Sequence, residues 1–443
     1  MIESIFYSAK EIEKAVSGRL EGDNVNISSI TTSSKEKTDK GCFFAIKGEK
    51  FNGADYVKEA ISNGAVLVVA QEKIAEDVSV IYVENVACAL GLLAKHHKGS
   101  TRVIGITGSV GKTTTKEIII SVLKEKYSVC GTRENENNEI GVALTLLSIK
   151  NEDFCVVEMG MRGLGEIKWL SYIAEPYIAV ITNCGTAHLG RLGSRDNIFK
   201  AKTEIFEYTD GFALMPSDEK FKALKIPQKT VFVGENGDIC AKNITQKDNK
   251  INFDIVCEAG VYEGFEIKTV AQHDVNNASY AFAVCRIIGV DVEAIKKGLS
   301  KFENVGLRQR LEHVENIEVL VDCYNASYES MVSAVISAVE YAKSKNKRCA
   351  VVLGDMQELG ENDADFHREI GRICKSCGVS KLYSAGENAE MYLYGFEGGI
   401  VAKCKEDLAR IILKELNEEY VLLVKASRKC QFEKIVEFMR ARE

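Results

Sequence analysis

The chain has 443 residues, enough for two to four domains, and a globular composition with 46% hydrophobic and 27% charged residues that excludes extensive disorder. Its net charge is −7 and it contains no long Lys/Arg block, which argues against nucleic-acid binding. No apolar run reaches the roughly 18 residues of a membrane span. Residues 1–18 predict a folded amphipathic segment rather than a secretion signal, so we expect a cytoplasmic protein.

Fourteen cysteines are scattered through the chain, mostly as single residues within apolar stretches. In a chain without a secretion signal, this spread is typical of buried, reduced thiols. The one close pair, Cys374 and Cys377, lacks the second pair of a zinc ribbon, and we do not expect it to bind a metal.

Strands alternate with helices along three blocks, which predicts α/β domains built on parallel sheets. The first block, residues 1–100, carries short strands and helices. The second block, residues 101–309, opens with a strand, a glycine-rich turn and a helix; within it, residues 228–270 alternate as a small appended antiparallel sheet would. The third block, residues 310–443, restarts the alternation as a smaller α/β unit.

A glycine-rich segment, GITGSVGKTTT at 105–115, lies between an apolar strand and a predicted helix. Glycines let backbone N–H groups approach phosphate oxygens, and a helix N-terminus favours anions. A lysine and a threonine in this place contact the β- and γ-phosphates and Mg²⁺. The glycine spacing departs from the strict Walker pattern, but strand, GKTT and helix together predict a nucleotide site. Its expected residues are Gly108, Ser109, Val110, Gly111, Lys112, Thr113 and Thr114.

Three titratable residues follow in the second block. Glu158 ends an apolar strand, where a carboxylate faces the ligand crevice of a parallel sheet; it is either a Mg²⁺ ligand beside Thr113 or a solvated acid. His188 follows the next strand in a glycine-containing loop, and it is either a ligand or a structural histidine. Lys202, on a predicted helix, would from its pattern alone be a surface lysine.

Four motifs, in chain order, resemble those of the Mur ligase family, whose members are ATP-dependent amide-forming enzymes of cell-wall synthesis. These motifs are GxxGxxGKTT (105–114), VVEMG (156–160), TNCGTAH (182–188) and KAKTEIF (200–206). Further strings resemble the members that add D-alanyl-D-alanine to a UDP-muramoyl-tripeptide through an acyl phosphate. They lie at 43–69, 135–147, 158–171, 193–206, 322–331, 353–361, 366–371 and 424–437.

The resemblance implies a three-domain α/β fold: a small N-terminal domain (1–100) for the UDP sugar, a central P-loop domain with a parallel sheet (101–309) for ATP, and a Rossmann-like C-terminal domain (310–443) for the dipeptide. It implies ATP, two Mg²⁺ ions and CO₂ as a lysine carbamate. The implied partners are the two small-molecule substrates, with no nucleic acid and no membrane, and we expect a monomer.

The resemblance also implies roles for single residues. Lys112, Lys202 and Arg310 would be catalytic; Thr113 and Glu158 would bind the first Mg²⁺, and His188 and carbamylated Lys202 the second. The further ATP contacts would be His273, Asn277, Arg310 and Asp322. Substrate contacts would be Ser33, Ser34, Lys47, Gly48, Asn52, Asn137, Asn138, Lys425, Ser427 and Arg428.

The first block departs from the family pattern, with TSSK at 32–35 in place of TDSR and NGAD at 52–55 in place of DGHD. A paralogous ligase with a different carboxylate donor or amine acceptor is therefore the alternative. A folate-type polyglutamate ligase fits less well, because the first block resembles a nucleotide-sugar domain. A nucleotide-binding regulator without catalysis is disfavoured by the retention of Lys112, Glu158, His188 and Lys202.

Overall fold

The computed structural model describes residues 1–304, 306–357, 359 and 362–441, which form three β-sheets flanked by helices. This architecture confirms the prediction of an α/β protein. Residue 305 of the second predicted block and residues 358, 360, 361, 442 and 443 of the third lie outside the described residues, and with them part of the motif string 353–361. Across the described ranges, no helix combines the length and the apolar character that crossing a membrane requires.

The first sheet has six strands in the order β1-β3-β4-β5-β6-β2, parallel at its centre and antiparallel at both edges. Helix α1 follows β1 directly because Ser8 caps it in a reciprocal pair with Glu11. The elements are β1 (Ile2–Ser8), α1 (Ala9–Val16), β2 (Arg19–Glu21), β3 (Asn26–Thr31), β4 (Gly41–Phe44), α2 (Val57–Ser62), β5 (Ala65–Ala70), β6 (Ser79–Tyr82) and α3 (Val86–His97).

The central sheet has nine strands in the order β15-β14-β13-β12-β11-β10-β7-β9-β8. Strands β13, β14 and β15 pair antiparallel, as predicted for this part of 228–270. The prediction was wrong for the start of that range, because β12 pairs parallel with β11 and β13 and so belongs to the parallel part of the same sheet. The strands are β7 (Arg102–Thr107), β8 (Val129–Gly131), β9 (Phe154–Glu158), β10 (Ile178–Ile181), β11 (Phe212–Pro216), β12 (Lys229–Val233), β13 (Ile239–Lys247), β14 (Lys250–Cys257) and β15 (Gly260–Ile267). The helices are α4 (Lys112–Leu123), α5 (Glu139–Leu147), α6 (Glu166–Ala174), α7 (Leu189–Leu192), α8 (Arg195–Thr203), α9 (Glu219–Lys222), α10 (Asp274–Ile288) and α11 (Val292–Ser300).

The third sheet has six strands in the order β16-β17-β21-β18-β19-β20, all parallel except the β16–β17 hairpin. The strands are β16 (Arg310–Val314), β17 (Ile317–Asp322), β18 (Arg348–Leu353), β19 (Lys381–Ser384), β20 (Ile400–Val401) and β21 (Tyr420–Lys425). The helices are α12 (Tyr328–Ser344), α13 (Asp363–Cys377), α14 (Ala389–Phe396), α15 (Lys405–Glu415) and α16 (Glu433–Arg440).

The clusters of buried apolar side chains show which of the three sheets share a hydrophobic core. One cluster of buried side chains runs without a break from the first sheet into one face of the central sheet. The third sheet has its own clusters on its two faces, and in the described part of the chain Val270 is the one central-block residue buried in them. The first two blocks therefore share a core, whereas the third meets them across a surface with little apolar burial.

Candidate active site

The glycine-rich segment forms a loop between β7 and α4, as its sequence context predicts. Gly111 has φ +82°, and a Cβ there would lie 2.7 Å from Asn277 Oδ1. A Cβ on Gly108 would lie 1.9 Å from Thr182 Oγ1. Both glycines are thus required by the close packing of the loop. The free N–H groups at the start of α4 make this an anion site.

Asn183, at the end of β10, braces the loop from the side. Its Oδ1 accepts hydrogen bonds from the N–H groups of Ser109 (3.1 Å) and Val110 (3.0 Å), and its Nδ2 donates to the Val110 carbonyl (2.8 Å). One carboxamide therefore satisfies three backbone groups of the loop. Phosphate oxygens are left to the N–H groups from Gly111 onwards.

Thr113, in the first turn of α4, and Glu158, the last residue of β9, lie next to each other. Thr113 Oγ1 donates to Glu158 Oε2 over 2.7 Å, and Asn137 Nδ2 donates to Glu158 Oε1 over 2.8 Å. Glu158 is 2% exposed, and both residues line the same cavity. Two adjacent oxygen donors of this kind fit a hard cation such as Mg²⁺.

The two predicted catalytic lysines are placed differently: Lys112 lines the cavity described below, whereas Lys202 is not part of its described lining. Lys112 Nζ donates to the Gly108 carbonyl (2.9 Å), and burial lowers its pKa against the opposing effect of Glu158. Lys202 is 1% exposed on α8, and burial together with the nearby Lys112 ammonium lowers its pKa to about 7. The lysine that pattern alone assigns to the surface is therefore buried, and its pKa is lowered towards neutral pH.

A cavity of about 840 Å³ opens at this end of the central sheet, and residues of all three blocks line it. The first block contributes Glu49, and the third contributes Tyr324. The central block contributes residues of the glycine-rich loop 105–115, which is called the phosphate loop below. Predicted residues that line the cavity are Ser109, Val110, Gly111, Lys112, Thr113, Thr114, Asn137, Asn138, Glu158, His188, His273, Asp322 and Lys425. Ligands bound here would touch every block of the protein.

Some predicted residues in this region have other partners. Asn277 is buried under the phosphate loop, where it accepts from Thr115 Oγ1 (3.2 Å) and donates to Asp274 (3.0 Å). Its position is that of a support for the loop. Asn138 caps α5 by accepting from Gly141 N over 2.9 Å.

Of the predicted residues in the third block, some line the cavity and others do not. Lys425 is buried and donates to Asp322 Oδ2 (2.7 Å) and the Asn325 carbonyl (2.9 Å), so the lysine and the aspartate form one pair at the cavity wall. Ser427 is buried beside Cys430, and the half-exposed Arg428 pairs with Glu433. Neither Ser427 nor Arg428 is part of the described cavity lining.

The arginine that lines the cavity is not the one predicted from the sequence. Arg310 lies at the start of β16, half-exposed, in an ion pair with Glu312, and it does not line the cavity in the described structure. Arg308 does line it, and its guanidinium stacks over the Tyr324 ring at 3.9 Å. The cation that faces the phosphate loop from the domain junction is thus Arg308.

Two of the predicted first-block residues, Lys47 and Asn52, line a second, smaller cavity of about 220 Å³, and Gly48 is not part of its described lining. Asn52 donates to Glu72, a neighbour in the same lining. Gly48 lies against the Phe51 ring and donates to its carbonyl (2.9 Å).

The two predicted serines of the first block lie outside this small cavity. Ser34 is buried and donates to Glu59 over 2.5 Å, and the Ser33 N–H donates to Thr31 Oγ1 over 2.9 Å. Neither serine lines either of the two cavities described.

Comparison with known proteins bears on this arrangement. Three domain models match the chain: the Mur ligase family catalytic domain at 26–98, the Mur ligase middle domain at 106–285 and the Mur ligase glutamate ligase domain at 309–428. The UDP-N-acetylmuramoyl-tripeptide–D-alanyl-D-alanine ligase of Bacillus subtilis is 34% identical, over 97% of each chain.

The chain belongs to the Mur ligase family.

Further Mur ligases agree with this assignment. The corresponding Escherichia coli ligase is 29% identical over 98% of each chain. A crystal structure of MurF from Acinetobacter baumannii superposes with a TM-score of 0.93 at 28% identity, covering 99% of this chain and 100% of that one. MurF from Thermotoga maritima, solved with ADP, gives a TM-score of 0.86 at 28% identity, over 93% and 97% of the two chains. The three-domain Mur ligase fold is therefore confirmed.

Sequence reasoning missed Asn183 and Arg308. Asn183 stands in the motif TNCGTAH (182–188), in which the histidine is the residue with an evident chemical role, and only the packing of this segment against the loop shows what the amide does. Arg308 and Arg310 are two residues apart, and the sequence around them does not say which one faces the nucleotide site.

Proposed function

We propose that this Mur ligase joins D-alanyl-D-alanine to UDP-N-acetylmuramoyl-tripeptide at the expense of ATP, a step of peptidoglycan precursor synthesis. The observation that carries the proposal is the large cavity in which a phosphate loop, an acid–hydroxyl pair and residues of all three blocks meet. The full-length similarity to ligases of that name supports the same substrates. It does not favour the alternative of a paralogue with another donor or acceptor.

The reaction would run through an acyl phosphate. A carboxylate oxygen of the tripeptide attacks the γ-phosphorus of ATP, and ADP leaves. The neutral amine of D-alanyl-D-alanine then attacks the acyl carbon, loses a proton to a base or water, and expels phosphate as the amide forms. Lys112 and the N–H groups at the start of α4 would hold the phosphates in line. Arg308 would add a third source of positive charge from the domain junction.

We propose that Thr113 and Glu158 hold one Mg²⁺, together with phosphate oxygens and water, because their oxygens lie side by side at the cavity wall. Such an ion supplies positive charge that neutralises the phosphates. A second ion would be held by His188 and by Lys202 as its carbamate. A carbamate carries two oxygens, the ligand type that Mg²⁺ prefers.

Carbamylation fits the environment of Lys202. Only a neutral amine adds to CO₂, and burial lowers the pKa of Lys202 to about 7. The carbamate would also place an anion next to the Lys112 ammonium, so that two opposite charges would attract each other where two ammonium groups would repel. This assignment concerns Lys202 alone, because Lys200, in the same helix, has an exposed side chain.

We further propose block 1–100 as the UDP-sugar domain, 101–309 as the ATP domain and 310–443 as the dipeptide domain, in a cytoplasmic monomer. The small cavity beside Lys47 and Asn52 is the proposed place for the nucleotide sugar. Lys425 would take part in the third domain through its pair with Asp322.

The test is product formation with purified protein, ATP, Mg²⁺, the UDP-muramoyl-tripeptide and D-alanyl-D-alanine. Mass spectrometry should find the UDP-muramoyl-pentapeptide, with phosphate released only when both substrates are present. Lys112→Ala serves as the inactive control, since it removes the phosphate-binding ammonium. Phosphate release without pentapeptide from any tripeptide tested would contradict the proposal.

A further inference from the structure

The third block meets the central block mainly through one helix, α12, and mainly through polar groups. Glu329 binds Thr186, Ser333 Oγ lies 2.7 Å from His273 Nδ1, and Lys345, just past the helix end, pairs with Asp248 at 2.6 Å. With little apolar burial, a surface of this kind can open and close at low cost.

The α12 contacts follow the helix period. Glu329 and Ser333 are four residues apart, and Glu340, seven residues further on, accepts hydrogen bonds from the Gln272 amide nitrogen at 2.5 and 3.1 Å. Spacings of four and seven residues place side chains on one helix face. One face of α12 thus contacts the central block from the loop after β10 to the start of α10.

Glu329 makes the most specific of these contacts. Its Oε1 accepts from the Thr186 N–H over 2.6 Å, and its Oε2 accepts from Thr186 Oγ1 over 3.0 Å. Thr186 is fully buried, and a Cβ on the preceding Gly185 would lie 2.5 Å from the Glu329 carboxyl carbon. The carboxylate therefore lies directly against the backbone of this loop, where only glycine leaves room for it.

The same loop carries His188. The Gly185 N–H donates to Ser109 Oγ over 2.9 Å, which ties the loop to the phosphate loop. The Thr186 carbonyl accepts from Leu189 N over 3.0 Å and so begins α7, with His188 at φ +66° between them. Fixing Thr186 from both sides fixes the backbone from which the His188 side chain enters the cavity.

We propose that Glu329 is a positioning residue: from the third domain it holds the 185–188 loop, and with it His188, in the arrangement that the ligase reaction needs. This rests on the proposed function only in its kinetic part. Through this contact, the position of His188, the proposed ligand of the second Mg²⁺, depends on the docking of the third domain, which is proposed to bind the dipeptide. The site is then complete only when that domain is in place, which limits loss of the acyl phosphate to water.

The experiment compares Glu329→Ala, Glu329→Gln and, as the matched control, Lys345→Ala in the full-length protein. Lys345→Ala breaks an ion pair of the same interface without touching the loop. Glutamine retains the shape and can still accept from the Thr186 N–H and donate to its hydroxyl, so it should restore most of what alanine removes.

Hydrogen–deuterium exchange of peptides that span 183–192 gives a readout independent of activity. We expect at least tenfold faster exchange at Thr186 in Glu329→Ala, and near wild-type exchange in Glu329→Gln and Lys345→Ala. In ligation assays, Glu329→Ala should lower kcat about tenfold and raise the half-saturating Mg²⁺ concentration at least threefold, with KM for D-alanyl-D-alanine changed less than threefold.

Unchanged exchange at 183–192 in Glu329→Ala would overturn the proposal, as would an equal kinetic loss in Lys345→Ala. If Glu329→Ala does not fold, Thr186→Val removes the hydroxyl contact alone and must show faster exchange at 183–192 than the wild type; unchanged exchange would then overturn the proposal. Should the wild-type protein form no pentapeptide, the proposed function fails while the exchange data still decide the positioning role.

Discussion

Asn183→Asp tests whether the phosphate loop depends on the carboxamide that braces it. The substitution keeps one oxygen that accepts from the Ser109 and Val110 N–H groups, but it turns the donor to the Val110 carbonyl into a second acceptor. The lost hydrogen bond costs about 1 kcal/mol. A carboxylate about 6 Å from a bound phosphate charge adds about 2–3 kcal/mol at an effective dielectric constant near 20.

Together these effects amount to about 3–4 kcal/mol, which corresponds to an ATP Kd roughly 100- to 1000-fold higher. Isothermal titration calorimetry with ATP and Mg²⁺ measures it directly. Asn63→Asp is the control: it loses a similar contact, from Nδ2 to the Ser34 carbonyl (2.7 Å), within the first block. It should bind ATP as the wild type does. A wild-type Kd for Asn183→Asp would refute the bracing role.

Three further variants examine the charges and the backbone of the site. Arg308→Ala should lower kcat/KM at least tenfold, since a cavity-facing cation is worth about 1.5–3 kcal/mol, whereas Arg310→Ala should change it less than threefold; initial rates of both variants decide which arginine serves the nucleotide. Gly111→Ala forces a side chain to φ +82° and to 2.7 Å from Asn277, so the unfolding free energy should fall by about 1–3 kcal/mol and calorimetry should show no ATP binding; wild-type binding would contradict the packing argument. Burial lowers the pKa of Lys202 from 10.5 to about 7, so between these pH values the unfolded chain holds the extra proton. In CO₂-free buffer, the wild type should therefore gain stability relative to Lys202→Met as the pH rises from 7 to 10, by at most about 4 kcal/mol in denaturant titrations, and a constant difference would refute the shift.

The sequence predicts the parts of the site that are local. The strand–loop–helix around Gly111 and Lys112 is readable from spacing, and an acid at the end of a buried strand predicts that Glu158 points to the ligand crevice. Each depends on residues close in the chain or on a general property of parallel sheets.

Contacts between distant segments could not be read in this way. Lys202 and a surface lysine have the same helical context, and only the packing of α8 shows that its amine is buried. The pairing of Lys425 with Asp322 joins two neighbouring strands of the third sheet that are about a hundred residues apart in sequence. The choice between Arg308 and Arg310 depends on where β16 begins.

The central claim is that a carboxylate of the tripeptide is activated by ATP as an acyl phosphate. It is tested most directly with a UDP-muramoyl-tripeptide whose reacting carboxylate carries ¹⁸O at both oxygens. When that carboxylate attacks the γ-phosphorus and the amine later expels phosphate, one carboxylate oxygen leaves with the phosphate. We predict one ¹⁸O in each phosphate released with pentapeptide, measured by mass spectrometry. Phosphate free of ¹⁸O, alongside pentapeptide formation, would contradict the account.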